Sequence, residues 1–195
     1  MATYNAIKYN VDYAGKAGQL MPLSTFTSDG SDSTADFTSS IDSTFKEYLF
    51  VYSNIHPENN DITFGFQADT GTNTNYNQTI TSTSFFSYHR EDDVNGISYS
   101  TGGDQAQGTS LQNISDSIGN ANDEALAGWL RIYDPSSTTF AKHFISCSLA
   151  NMHSEGVYQT FRQGYINTTT AITRVRFKFS SGEIQGGTIQ MFGVL

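Results

Sequence analysis

The chain has 195 residues, enough for one β-domain with its own core. Its formal net charge of −9 argues against nucleic-acid binding, because an acidic surface repels phosphate groups. A single cysteine, Cys147, excludes an internal disulfide, and the lack of a secretion signal or of an apolar run of roughly 18 residues predicts a cytosolic protein without membrane contact.

Residues 1–32 are predicted to form an extended N-terminal arm. Spaced tyrosines are followed by a break at Gly15–Gly18 and by a turn-rich stretch at residues 28–32. These aromatic residues are too sparse for a core of their own, but they can anchor an extended segment to a neighbouring surface. A frayed terminus is the alternative interpretation. The candidate subunit-contact residues are Tyr4, Ile7, Tyr9, Val11 and Tyr13.

Residues 33–195 are predicted to form a β-domain. Aromatic residues make up 13% of the chain and charged residues only 15%, a composition typical of strands joined by turns. A polar, acidic stretch at 90–108 is predicted to be a surface loop, and the spacing of Leu111, Ile114 and Ile118 leaves helix and strand open. Apolar runs and alternation predict strands at residues 45–55, 62–68, 79–89, 126–133, 140–152, 157–167, 171–180 and 184–194.

The alternation of side-chain character is clearest after Ile172, where cationic and apolar residues alternate along the chain. Val175 and Phe177 are expected on one face, and Arg174 and Arg176 on the other, where they must be hydrated or paired. Eight or more strands without a long helix predict an all-β fold, an antiparallel two-sheet β-sandwich that is jelly-roll-like. The residues predicted to point inward are Leu49, Val51, Phe64, Phe66, Leu130, Ile132, Val175, Phe177, Phe179, Ile189 and Met191.

No motif in the sequence carries recognisable chemistry. The histidines lie in separate segments, the acidic clusters lack the rhythm of a calcium loop, and no nucleophile elbow or phosphate loop is present. The sequence therefore predicts no catalytic, cofactor-binding or metal-binding residues. Two carboxylates brought together by the fold, or aromatic residues such as Trp129 and Tyr133 that stack on a sugar, remain open alternatives.

About four fifths of the chain, from Phe37 to the C-terminus, resembles a group of small virion structural proteins of tailed phages that is common among phages of marine bacteria. Each matching piece is short, and the combination carries the resemblance. The pieces are Ser43–Phe50 continuing to Asn54–Pro57, Asp134–Phe140 with Lys142–Phe144, Ala171–Val175, Ser180–Ile184 and Gly187–Gly193.

The resemblance implies a jelly-roll-like sandwich carried on the virion, and no catalytic residues. A compact domain without the repetitive shaft of a fibre favours a capsid decoration or cement protein, assembled in the bacterial host cytoplasm. Its expected partners are the major capsid protein or neighbouring virion subunits, with a homotrimer as the expected oligomer. The alternative is a tail fibre or baseplate module that binds a glycan of the host surface.

Overall fold

A computed structural model describes residues 19–195. They contain no helix, and therefore none that could span a membrane. The strands are β1 (Leu20–Thr27), β2 (Ala35–Phe37), β3 (Glu47–Pro57), β4 (Ile62–Thr70), β5 (Ile80–Arg90), β6 (Asn95–Tyr99), β7 (Gln112–Ile118), β8 (Leu126–Tyr133), β9 (Lys142–Asn151), β10 (Gly156–Ile166), β11 (Ile172–Phe179) and β12 (Ile184–Val194).

The strands form two antiparallel sheets. The larger has eight strands in the order β1-β12-β3-β8-β9-β10-β5-β6, and the smaller has four in the order β2-β11-β4-β7. Early and late strands pair in both sheets, since β12 pairs with β3 in one and β11 with β4 in the other. Such pairing fits the predicted jelly-roll-like sandwich, and the predicted fold class is confirmed.

Aromatic rings fill the space between the sheets. Phe177 is fully buried on β11, and its ring lies 5.3 Å from that of Phe50 and 6.0 Å from that of Phe64, measured between centroids. Phe66 and Phe144 meet edge to face at 5.0 Å. Burial of such large apolar side chains against both sheets supplies the main force that holds the sandwich together.

Most of the predicted inward positions are correct, but those on β3 are wrong. The core cluster takes Tyr48, Phe50 and Tyr52 from β3, whereas Leu49 and Val51 point to the opposite face, where Leu49 is nevertheless buried. Both alternating sets on this strand are bulky and apolar, so periodicity alone does not choose between them. The tyrosines face inward because their hydroxyls find partners there, as in the 2.6 Å hydrogen bond between Tyr52 and Ser148.

Two segments differ from the sequence-based predictions, and a third settles a choice that the sequence left open. The stretch 90–108 is not wholly a loop, since it contains β6, which pairs with β5. The segment left open between helix and strand is β7, with Ile114 and Ile118 in the core. Residues 20–27 of the predicted arm form β1, which pairs with β12, so the sandwich begins before residue 33.

On the cationic face of β11, expected to be hydrated or paired, Arg176 forms an ion pair with Asp36. Arg176 donates from Nε to Asp36 at 2.7 Å, and its guanidinium lies 3.9 Å from the ring centre of Tyr76. Burial opposes ionisation of Asp36, but hydrogen bonds from Arg176, Thr34 and Tyr76 outweigh it and hold the pKa of this carboxyl below its usual value. These contacts hold β2 against β11 on the solvent side of the small sheet.

The interior under β5 and β10 is polar. Arg162 is fully buried and forms an ion pair with Asp116 of β7, which also accepts a hydrogen bond from Thr63 at 3.1 Å. The backbone of Gly103 lies over the guanidinium, and a Cβ at this position would overlap it. The loop after β6 therefore closes this end of the sandwich with polar contacts rather than apolar ones.

Candidate interaction surface

The outer face of the eight-stranded sheet is the side turned away from the small sheet. Along each strand the side chains that do not enter the core alternate onto this face. The registers align one such residue from every strand in a continuous transverse row, here called the central row. Its members, from β6 to β1, are Tyr99, Phe85, Phe161, Cys147, Trp129, Val51, Gln190 and Thr25.

The central row is mostly apolar and partly open to solvent. Phe85 and Phe161 stack with ring centroids 5.0 Å apart, and the guanidinium of Arg131 lies 5.5 Å from the centre of the Trp129 ring. The side chain of Cys147 is half-buried on this face. Neighbouring rows continue the apolar character with Leu149, which is 51% exposed, and with the still more exposed Ile97 of β6.

Charge is nearly absent from this face, although the chain is acidic. The outward positions of β8, β9, β10, β5 and β6 contain no aspartate or glutamate. Their one Arg, Arg131, forms an ion pair with Glu47 of β3. Because Glu47 is the only carboxylate at the outward positions of the eight strands, and it is paired with Arg131, association through the outer face avoids much of the repulsion that the net charge of −9 would otherwise cause.

A groove of about 470 Å³ opens on the outer face over the start of β9 and the end of β10. It is called here the apolar groove. The rings of His143 and Tyr165 form one wall, with their centroids 6.4 Å apart. No Asp, Glu, Lys or Arg side chain lines it, and several of the lining side chains present rings or aliphatic groups: Thr81, Thr83, Tyr133, His143, Ile145, Gln163 and Tyr165.

An acidic cleft of about 630 Å³ lies at the opposite end of the same sheet. At its rim, Arg90 forms an ion pair with Asp92 at 2.9 Å, and a ring nitrogen of His89 lies 3.2 Å from a carboxylate oxygen of Asp93. Within residues 19–195, no three His, Cys, Asp or Glu side chains are grouped as metal ligands. The cleft carboxylates come from Glu91, Asp93, Asp123, Glu124 and Glu155.

A second polar feature lies at the β6 edge of the outer face. The hydroxyl of Tyr99 donates to Asp104 at 2.6 Å, and this hydrogen bond to a carboxylate raises the pKa of Tyr99. Tyr99 is 51% exposed and stands beside Phe85 in the central row. An exposed aromatic next to a hydrogen-bond acceptor is a combination that proteins use to hold sugars.

The predicted contact residues of the arm, Tyr4 to Tyr13, lie outside the described residues. Of the two aromatic residues considered for sugar stacking, Trp129 lies in the central row and Tyr133 lines the apolar groove, so the fold brings both to the outer face.

The outer face itself was not predicted as a site. The signal that reveals it is apolar character on both alternating sets of one strand, as in Phe144 and Ile145 of β9. A strand whose outer face is exposed to water has no need for apolar side chains at its outward positions. Apolar side chains at both the inward and the outward positions therefore indicate that each face of the strand packs against something. Comparison of the chain with known protein families, with curated proteins and with solved structures found no match.

Proposed function

We propose that the chain is a non-enzymatic structural protein of a phage virion, a capsid decoration or cement protein that binds neighbouring subunits through the outer face of its eight-stranded sheet. The observation that carries this proposal is the central row, which crosses all eight strands without a charged residue. The resemblance of the sequence to virion structural proteins supports the same function.

The size of the face suits a protein interface. Seven strand spacings make the central row about 34 Å long, which is comparable with the width of a patch of about 800 Å² that each partner contributes to a standard interface. Monomeric proteins rarely leave an apolar surface of this extent open to water, because its burial is favourable. A cement protein occupies many equivalent sites, and a homotrimer at the threefold axes of a capsid would present three such faces symmetrically.

Location on the particle is the first test. A cryo-electron microscopy map of the intact virion is expected to place this domain on the capsid, with the outer face of the large sheet against a neighbouring subunit. A position at the tip of the tail with that face open to solvent would contradict the proposal and favour a receptor-binding role.

A matched pair of variants tests the surface. Ile145→Asp places a carboxylate on the outer face, and Thr38→Asp places one at an exposed position after β2 of the small sheet. Particles that lack the chain are mixed with each purified variant, and bound protein is quantified. Ile145→Asp is expected to lower occupancy at least about tenfold, since an unpaired charge in a desolvated interface costs several kcal/mol. Loss with Thr38→Asp, or full occupancy with Ile145→Asp, would show that another surface binds.

A tail fibre or baseplate module that binds host glycan is the second candidate, favoured by Tyr99, Phe85 and Asp104 at the β6 edge. Binding of purified host-surface polysaccharide that is lost in Tyr99→Ala would support it. The same samples test the proposed absence of enzymatic activity. Reproducible release of sugar products, abolished by substitution of one carboxylate, would contradict that part of the proposal.

A further inference from the structure

We propose that residues 1–18 of one copy of the chain bind in the apolar groove on the outer face of a second copy. This inference rests on the proposed function, in which the outer face joins subunits, and it names the partner segment. Each copy then both donates a segment and accepts one, which is the reciprocal arrangement of a symmetric assembly.

The position of the groove is the first argument. The registers connect Leu20 of β1 to Val194 of β12, Val194 to Glu47 of β3, and Glu47 to Tyr133 of β8, which lines the groove. Residues 1–18 are therefore joined to the sheet at the same end as the groove. The backbone of Gln19 is fixed there, because its carbonyl accepts a hydrogen bond from the Leu195 amide at 3.1 Å.

The length of the segment is sufficient. The groove lies four to five strands from β1, or about 20 Å across the sheet. A chain of 18 residues spans up to about 60 Å when extended, about three times this distance, which leaves length for the gap to an adjacent copy.

The side chains of the segment match the groove. Four apolar or aromatic residues recur at every second position, while the residues between them are polar, so an extended segment has one apolar face. Tyrosine suits such a site because its ring fills apolar space and its hydroxyl reaches polar groups at the rim, here the side chains of Thr81, His143 and Gln163. The alternating residues are Ile7, Tyr9, Val11 and Tyr13.

A second copy is favoured over the same copy by the ion pair of Glu47 and Arg131. Within one chain this pair lies on the outer face between β1 and the groove. A segment that folded back over its own sheet would cover both charges and remove them from water, at a cost of desolvation. A segment arriving from a neighbour does not have to cross them.

Site-specific disulfide formation in the full chain tests the inference. Cys147 is first replaced by serine, and Tyr9→Cys is then combined in solution with a separate Gln163→Cys protein. Mild oxidation is expected to give covalent dimers containing one copy of each variant, because Gln163 lines the groove. The matched control is Ser53→Cys, an exposed position on the same face at the opposite end of β3, which should give few such dimers. Equal yields at residues 53 and 163 would overturn the inference.

Two further outcomes separate the inference from the proposed function. If Tyr9→Cys and Gln163→Cys in one chain form only an intrachain disulfide, the segment binds its own sheet and the inference fails. If Val11→Asp leaves particle occupancy unchanged while Ile145→Asp lowers it at least about tenfold, the outer face joins subunits without the segment. In that case the proposed function stands and the inference is overturned. An at least comparable loss with Val11→Asp is the expected result.

Discussion

At the scale of single residues, the core depends on Phe177. Its ring is fully buried and packs against rings from both sheets. Phe177→Ala is expected to lower the free energy of unfolding by about 3 to 5 kcal/mol, through lost burial and the cavity that remains. Chemical denaturation measures this change, with the exposed Phe140→Ala as the control. Equal stability of the two variants would contradict the assigned packing.

The buried ion pair of Arg162 and Asp116 gives a second prediction at the same scale. Asp116→Ala leaves the fully buried guanidinium of Arg162 without its counter-charge, and we expect a loss of about 3 to 5 kcal/mol. Arg162→Met combined with Asp116→Ala should recover part of that loss, because no unpaired charge remains. A double-mutant cycle measures the coupling. Simple additivity of the two substitutions would mean that the pair does not act as a unit.

At the scale of secondary structure elements, β1 is the first strand of the sandwich and directly follows residues 1–19 in the chain. Met21, Leu23 and Phe26 of this strand pack against the core. Deletion of residues 1–18 is therefore expected to leave thermal unfolding nearly unchanged, whereas deletion of residues 1–32 removes β1 and should cost at least about 2 kcal/mol. Calorimetry on both truncated proteins checks this difference. Marked destabilisation by the shorter deletion would show that the segment completes its own domain.

At the scale of the whole molecule, the separation of charge from the outer face predicts how the protein associates. An interface whose only charges form one internal ion pair gains free energy mainly from apolar burial, so its association constant should change less than about threefold between roughly 50 and roughly 500 mM NaCl. Sedimentation velocity at several protein concentrations measures the constant. A tenfold or larger dependence on salt would place a charged region, such as the acidic cleft, in the interface.

Several features of this chain follow from the sequence alone. The alternation after Ile172 fixes both the strand and its inward face, since one set of positions is apolar and the other cationic. The core positions Phe64 and Ile189 follow in the same way, because the side chains next to them in the chain are smaller or polar. Local pattern is sufficient wherever only one face of a strand suits the core.

Tertiary structure decides the rest, because the decisive contacts are between residues far apart in the chain. The inward face of β3 depends on a hydroxyl partner for Tyr52, which Ser148 supplies from β9. Likewise, β1 is a strand only because it pairs with β12, the last strand of the chain. The residues of the central row become neighbours only when eight strands pair in the observed registers, and no short stretch of the sequence specifies these registers. The sequence by itself determined an all-β sandwich with an aromatic core, and only the pairing of its strands decided which apolar side chains face outward.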